Sequence, residues 1–132
     1  MSSAAHIDAF SARLREDTVL ATATFEGVVQ DRPNRYCTIH AAGPTHTAER
    51  FNGRSTQQDY SVTVHSVGTT PAQARFVQDR VVAQLLDFTL TVSGRSVRRI
   101  RHTYSRPVDI DKDVSPPLWY FVDEFEFTSS PA

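Results

Sequence analysis

One segment limits the fold more than any other: TTPAQARFVQDRVVAQLLD, residues 69–87. Thr70 stands where a helix N-cap belongs, and Pro71 takes the first helical position, where its missing N–H is one of the orphan donors anyway. Gln73, three residues after Thr70, completes a capping box. Behind this start Ala74, Val77, Val81, Leu85 and Phe88 recur at helical spacing and form one apolar stripe. At about 100° per residue Val82 and Leu86 fall outside that stripe, and Phe76 lies almost opposite. The spacing predicts a helix over 70–87 whose stripe packs on a single sheet. Val82 and Leu86 then need a second cover, an N-terminal helix or a neighbouring subunit, and we assign them to the helix. Phe76 is left open.

The remaining elements read around that helix. Ile7, Phe10 and Leu14 predict a short amphipathic helix over 3–16, capped by Ser2 or Ser3. Residues 18–34 show no clear period. RYCTIH, Arg35 to His40, reads as a strand closed by AAGP. The polar stretch from Pro44 to Asp59 carries an Asn52-Gly53 turn signal and reads as a long hairpin or an exposed arm. YSVTVHSV, residues 60–67, alternates as a half-buried strand does. TLTVSGRSVRRIRHTYS has the form strand, Ser93-Gly94, strand. A loop over 107–117, rich in acids and prolines, precedes a closing strand, Leu118 to Thr128. That strand sets Trp119, Phe121, Phe125 and Phe127 on one face, interrupted by Asp123, and Leu118, Tyr120, Val122, Glu124 and Glu126 on the other. Two helices and about five mostly antiparallel strands give an α+β fold, and 132 residues suit a single domain.

The chemistry is read mainly by exclusion. Asp109, Asp111 and Asp113 alternate as in a calcium loop. Such a loop wants Gly at its sixth position and Glu at its twelfth, where this chain has Val114 and Tyr120. Placed in a loop broken by Pro107, Pro116 and Pro117, the three acids define no cleft for paired-carboxylate catalysis. His6, His40, His46, His65 and His102 show no zinc spacing with Cys37 or one another. Cys37, the sole cysteine, excludes an internal disulfide framework, suits a reducing cytoplasm, and reads as a small core residue. FNGRS and VSGRS match no phosphate loop. No metal, cofactor or catalytic constellation is expected. No run approaches the ~20 apolar residues of a membrane span, and the first residues lack the order of a signal peptide.

The net charge of −1 sets up no global field for nucleic acid or membrane. Thirteen arginines against the single Lys112 point to a GC-rich coding bias. Arg95, Arg98, Arg99, Arg101 and Arg106 form the one basic concentration. On a strand Arg99 and Arg101 face one way and Arg98 the other, which suits an edge strand guarded by charge. Two competing classes stay open beside a structural protein. One is a small-molecule or enzymatic domain with Trp119, Phe121 and Phe125 lining a pocket, although core packing explains these aromatics more economically and makes Trp119 a core residue. The other is a nucleic-acid binder using Arg95 to Arg106.

Taken in order, SVTVHSVGTTPAQARFVQDRVVAQLL, LTVSGRSVRRIRH and RPVDIDKDVSPPLWYFVDEFEF resemble the tail terminator (tail completion) proteins of long-tailed phages of GC-rich actinobacterial hosts. The likeness covers roughly residues 30–132 and lies in the succession of elements rather than in one motif. It implies a six-membered ring that ends tail-tube polymerisation and joins the tail to the head connector. It further implies a place at the head-proximal end of the tail in the virion, after assembly in the host cytoplasm. The implied partners are further copies of the chain, the tail tube protein and a head-completion or neck protein. DNA would pass through the lumen without specific binding, with Arg98, Arg99 and Arg101 as candidate contacts, and no membrane is involved. A ring subunit needs two faces that close on themselves. Candidate interface residues are Arg50, Phe51 and Arg54 on the polar arm, Phe76 on the helix, and Asp109, Asp111 and Asp113. Arginine–carboxylate pairing between neighbours would fix the register, and two solvated loops are the alternative.

Overall fold

The computed structural model describes residues 3–27, 33–48, 55–114 and 116–132. Around Thr70 it is helical, as the sequence requires. Helix α2 spans Pro71–Leu85, and the Gln73 N–H donates to the Thr70 hydroxyl at 3.2 Å. The reciprocal half of the capping box is displaced by one residue, since the Gln73 side chain accepts from the Thr69 N–H at 3.2 Å. Ala74, Val77, Val81 and Leu85 are buried, and Val82 packs on the same core. Helix α1, Ser3–Arg15, buries His6, Ile7, Phe10, Ser11 and Leu14 beside α2. Ser3 is its first helical residue rather than its cap, and Ser2 lies outside the described residues.

The strands are β1 (Thr24–Glu26), β2 (Arg35–Ala41), β3 (Thr45–Ala48), β4 (Ser55–Gly68), β5 (Arg95–Val97), β6 (Arg101–Asp111) and β7 (Leu118–Pro131). These seven segments fill five positions across one sheet. β2 and β3 share one edge of β4, while β5 and β6 share the outer edge of β7. All pairings are antiparallel except β1 with β2. The architecture is α+β, with the helices on one face of the sheet. Of the two readings of residues 44–59, the described part pairs as a hairpin does, β3 with β4 from Thr45↔Asp59 to Ala48↔Ser55, while Asn52-Gly53 lies outside the described residues.

Two expectations fail for one physical reason. The segment before Ser93-Gly94 is not a strand paired with the one after it. Gly94 makes the turn at φ 76°, but Leu90 and Val92 enter the core, and β5 pairs with β7 instead. Likewise Asp109 and Asp111 do not lie in a loop. β6 carries both along the edge of β7, past bulges at His102/Tyr104 and Arg106/Asp109. In each case the 14-residue β7 offers a distant pairing edge that local turn signals do not register.

The core between helices and sheet holds Phe10, Leu14, Val62, Val64, Val77, Phe125 and Phe127. A polar chain runs through it. Tyr60 donates to Gln58 Oε1 at 2.9 Å, so its oxygen accepts from His6 Nδ1–H at 3.0 Å. His6 Nε2 is then the acceptor for the Ser129 hydroxyl at 2.8 Å, and Ser129 Oγ in turn accepts from Arg95 Nε at 2.9 Å. Each buried group has a partner of the right sense, which is the condition for burying it at low cost. Asp123 is fully buried, and its carboxylate accepts from Gln78 on α2 and pairs with His102 Nε2 on β6 at 2.9 Å. Cys37 is a core residue, its thiol pushed up to about 11 by burial. Burial alone would raise the Asp17 carboxyl, but Arg80 on α2 and the Val19 and Leu20 N–H groups hold it below its ordinary value.

Candidate assembly surface

Pairing register assigns each strand residue to a face. The helix face carries Tyr60, Val62, Val64 and Ser66 of β4 opposite Phe127, Phe125, Asp123 and Phe121 of β7. The other face has no helix over it among the described residues, and its side chains fall into cross-strand rows. Tyr36, Val67, Tyr120 and Asp109 form one row, and Thr38, His65, Val122 and Arg106 the next. A third row is His40, Thr63, Glu124 and Tyr104. The face therefore runs from a row dominated by Tyr36, Val67 and Tyr120 and edged by Asp109, through His65 and Arg106, to a more polar row with His40 and Glu124.

Its apolar end is a small cluster of its own. Tyr36, Val67, Leu118 and Ala23 are buried there, with Phe25, Val114 and Tyr120 packed against them. A recess of about 420 Å³ opens beside it, lined by Tyr36, Thr38, His65, Val67, Arg106, Asp111, Leu118, Tyr120 and Val122. The His65 ring centroid lies 4.8 Å from that of His40 and 6.0 Å from that of Tyr120. Partial burial first, then the His40 and Arg106 charges, hold His65 below the ordinary histidine range. The Arg106 guanidinium lies over the Tyr120 ring at 5.8 Å and donates to its hydroxyl at 3.5 Å. Such a surface offers apolar area with one cation and one acid at its rim, which suits a docking partner with an apolar knob and matching charge.

The sequence-predicted residues fall in several places. Arg50, Phe51 and Arg54 lie outside the described residues. Phe76 is half-buried between the Arg35 and Arg80 guanidinium groups, at 4.6 and 4.9 Å from its ring. Asp109 accepts from the Tyr120 hydroxyl at 3.5 Å, while Asp113 donates its N–H to Asp111 in the turn that follows. Arg98 and Arg99 precede β6 rather than lying on it, and with Arg101 and Thr128 they line one shallow hollow. The opposed strand faces expected for these arginines do not apply.

Two further expectations change. Leu86 is not covered by α1 and is 46% exposed. Trp119 is only half-buried and belongs to neither core cluster, and it does not line the recess, which lies on the other face. Sequence reasoning missed Tyr36, His65 and Tyr120 as site residues. Their signal was the open-face half of each strand's alternation, but only the register between β2, β4 and β7 brings them together.

No family model matches the chain, and no curated protein does. Solved structures do share its fold. One is a chain from the virion of a native gene transfer agent particle, 15% identical, with a TM-score of 0.67 over 92% of this chain and 91% of that one. A second solved chain is 16% identical, with a TM-score of 0.69 over 100% of this chain and 98% of its own. At these identities the likeness establishes the fold.

Proposed function

We propose that this chain is a structural subunit of a virion. More narrowly, we propose that it is a tail terminator-like protein that forms a six-membered ring, caps the tail tube, stops its growth and joins the tail to the head connector. The observation that carries the reading is the likeness in fold, over nearly the whole of both chains, to a chain of a gene transfer agent virion. The succession of sequence elements points the same way. A sheet with one face open and graded in polarity supports a subunit that meets other chains.

In this reading Asp109, Asp111 and Asp113 meet the Arg50, Phe51 and Arg54 arm of a neighbouring copy. Phe76, framed by its two arginines, belongs to the contact with a copy or an axial partner. Arg98, Arg99 and Arg101 face DNA in transit and hold it through phosphate charge alone. Such affinity is weak, independent of sequence and lost steeply with salt. Neither metal nor cofactor enters the proposal.

Negative-stain imaging of the purified chain, alone and with tail tube protein, tests it. Rings of about six subunits that dock on tube ends are the expected result. A monomer at all concentrations that ignores the tube, and whose melting temperature shifts with a small molecule, overturns the reading in favour of a binding domain.

A further inference from the structure

We propose that the recess on the open face of the sheet receives Leu86 of a second copy of this chain, with Asp87 of that copy set against Arg106. The inference rests on the ring reading and names the lateral contact such a ring needs.

The knob is built at the end of α2. Leu86 is its C-cap residue and one of two large hydrophobic side chains left exposed among the described residues. Its backbone is fixed on both sides. The Leu86 N–H bonds to the Val82 carbonyl at 2.9 Å, and the Asp87 N–H to the Ile100 carbonyl at 3.1 Å. Asp87 adopts φ 61°, a left-handed conformation uncommon outside glycine. Strain of this kind concentrates at functional positions. An exposed leucine followed by an exposed acid is therefore held in a defined place.

The recess answers both features. Tyr36, Val67 and Leu118 are largely withdrawn from water, with Phe25 and Val114 packed against them, and Tyr120 and Val122 extend the apolar wall. Arg106 at the rim contacts the Tyr120 ring and hydroxyl and has no carboxylate within 4.0 Å among the described residues. Among the described residues Asp87 has one cationic partner, Arg99, at the long distance of 3.9 Å. Apolar knob meets apolar hole, and acid meets guanidinium.

Position then decides the symmetry. Leu86 belongs to the helix layer, and Asp87 next to it bonds to Ile100, beside the Glu126 end of β7. The recess lies on the opposite face, at the Leu118–Val122 end of the same strand. One copy cannot fill its own recess, and the two features do not coincide in a single patch for twofold pairing. Repetition of the contact runs head to tail, the kind of interface that forms a ring when its rotation closes.

Cysteine pairing between full-length chains tests this. Leu86→Cys and Val122→Cys variants, each shown to fold by circular dichroism, are mixed under mild oxidation. Cys37, buried and with its thiol pushed up to about 11, stays out of the exchange. We expect the cross-linked dimer to be at least about ten-fold more abundant in the mixture than with either variant alone, with Leu86→Asp abolishing self-association of the chain. If wild-type protein forms rings but the mixture yields no such excess, this contact is wrong and the ring reading stands. If Leu86→Cys links to itself as readily, the contact is twofold and the proposal falls. If the wild-type chain neither assembles nor cross-links, the contact and the ring reading fall together.

Discussion

Phe125 and Trp119 sit on the same face of one strand, yet truncation should separate them. Phe125 is fully buried, with Phe10 edge-on at 6.4 Å and His102 stacked at 4.8 Å. Phe125→Ala leaves a cavity in the core, and we expect a loss of about 3–5 kcal/mol. Trp119, half-buried one residue into β7, should lose less than about 3 kcal/mol on truncation. Urea denaturation of the two variants at constant m value measures both, and equal losses would return Trp119 to the core. His65 carries a separate expectation. Its folded-state affinity for a proton is depressed from the ordinary value of 6.5, so the unfolded chain binds a proton that the folded chain refuses. Its contribution is therefore complete above about pH 6.5, declines as the pH falls through that value, and levels off once the folded imidazole itself is protonated. His65→Gln should flatten the fall in melting temperature between about pH 7 and pH 5, and an unchanged slope would assign the acid sensitivity to other groups.

The junction of β4 and α2 shows how tightly one element sets the next. A Cβ added to Gly68 would stand 2.5 Å from the Ala74 nitrogen and 2.9 Å from the Gln73 carbonyl carbon, both backbone atoms with no freedom to yield. Gly68→Ala should therefore cost about 1–3 kcal/mol, like other insertions into filled space. Thermal unfolding measures this, and a neutral substitution would mean that the helix start shifts freely on the sheet. This junction also marks what was legible in the sequence. The cap, the proline start and the stripe of α2 are local chemistry, and the helix appears within two residues of where they place it. The alternation from Tyr60 to Val67 was equally local. β5 and β6 were not legible in this way, because their partner is β7 and nothing near Ser93-Gly94 says that Leu90 and Val92 will be buried rather than paired. The recess fared worst, since Tyr36, His65 and Tyr120 are brought together only by a register across three strands.

For the whole molecule, the question posed by the ring proposal is which ends of two copies would meet. Asp109 and Asp111 lie on the last three residues of β6, beside Tyr120 and Leu118 and on the side of the recess that also holds Arg106. If the arginine arm of one copy reaches these acids while its Leu86 fills the recess, both contacts use the same end of β6 on the receiving copy. Arm and knob then act as one head engaging one tail. On this view the acids contribute to assembly and little to folding. Substitutions at exposed positions usually change stability by less than about 0.5 kcal/mol, whereas close interfacial charge pairs couple by roughly 1.5 kcal/mol or more. We therefore expect Arg54→Asp to block ring formation while leaving the monomer's melting temperature nearly unchanged, and Asp111→Arg to do the same. The double variant restores the pair with its polarity reversed and should recover part of the ring fraction, read by light scattering. A closed ring repeats the contact at every boundary, so a modest loss per contact becomes a large loss of rings. If both single variants assemble normally, or if the double variant shows only the sum of two losses, the acids on β6 are a solvated edge and the recess must hold the ring without them.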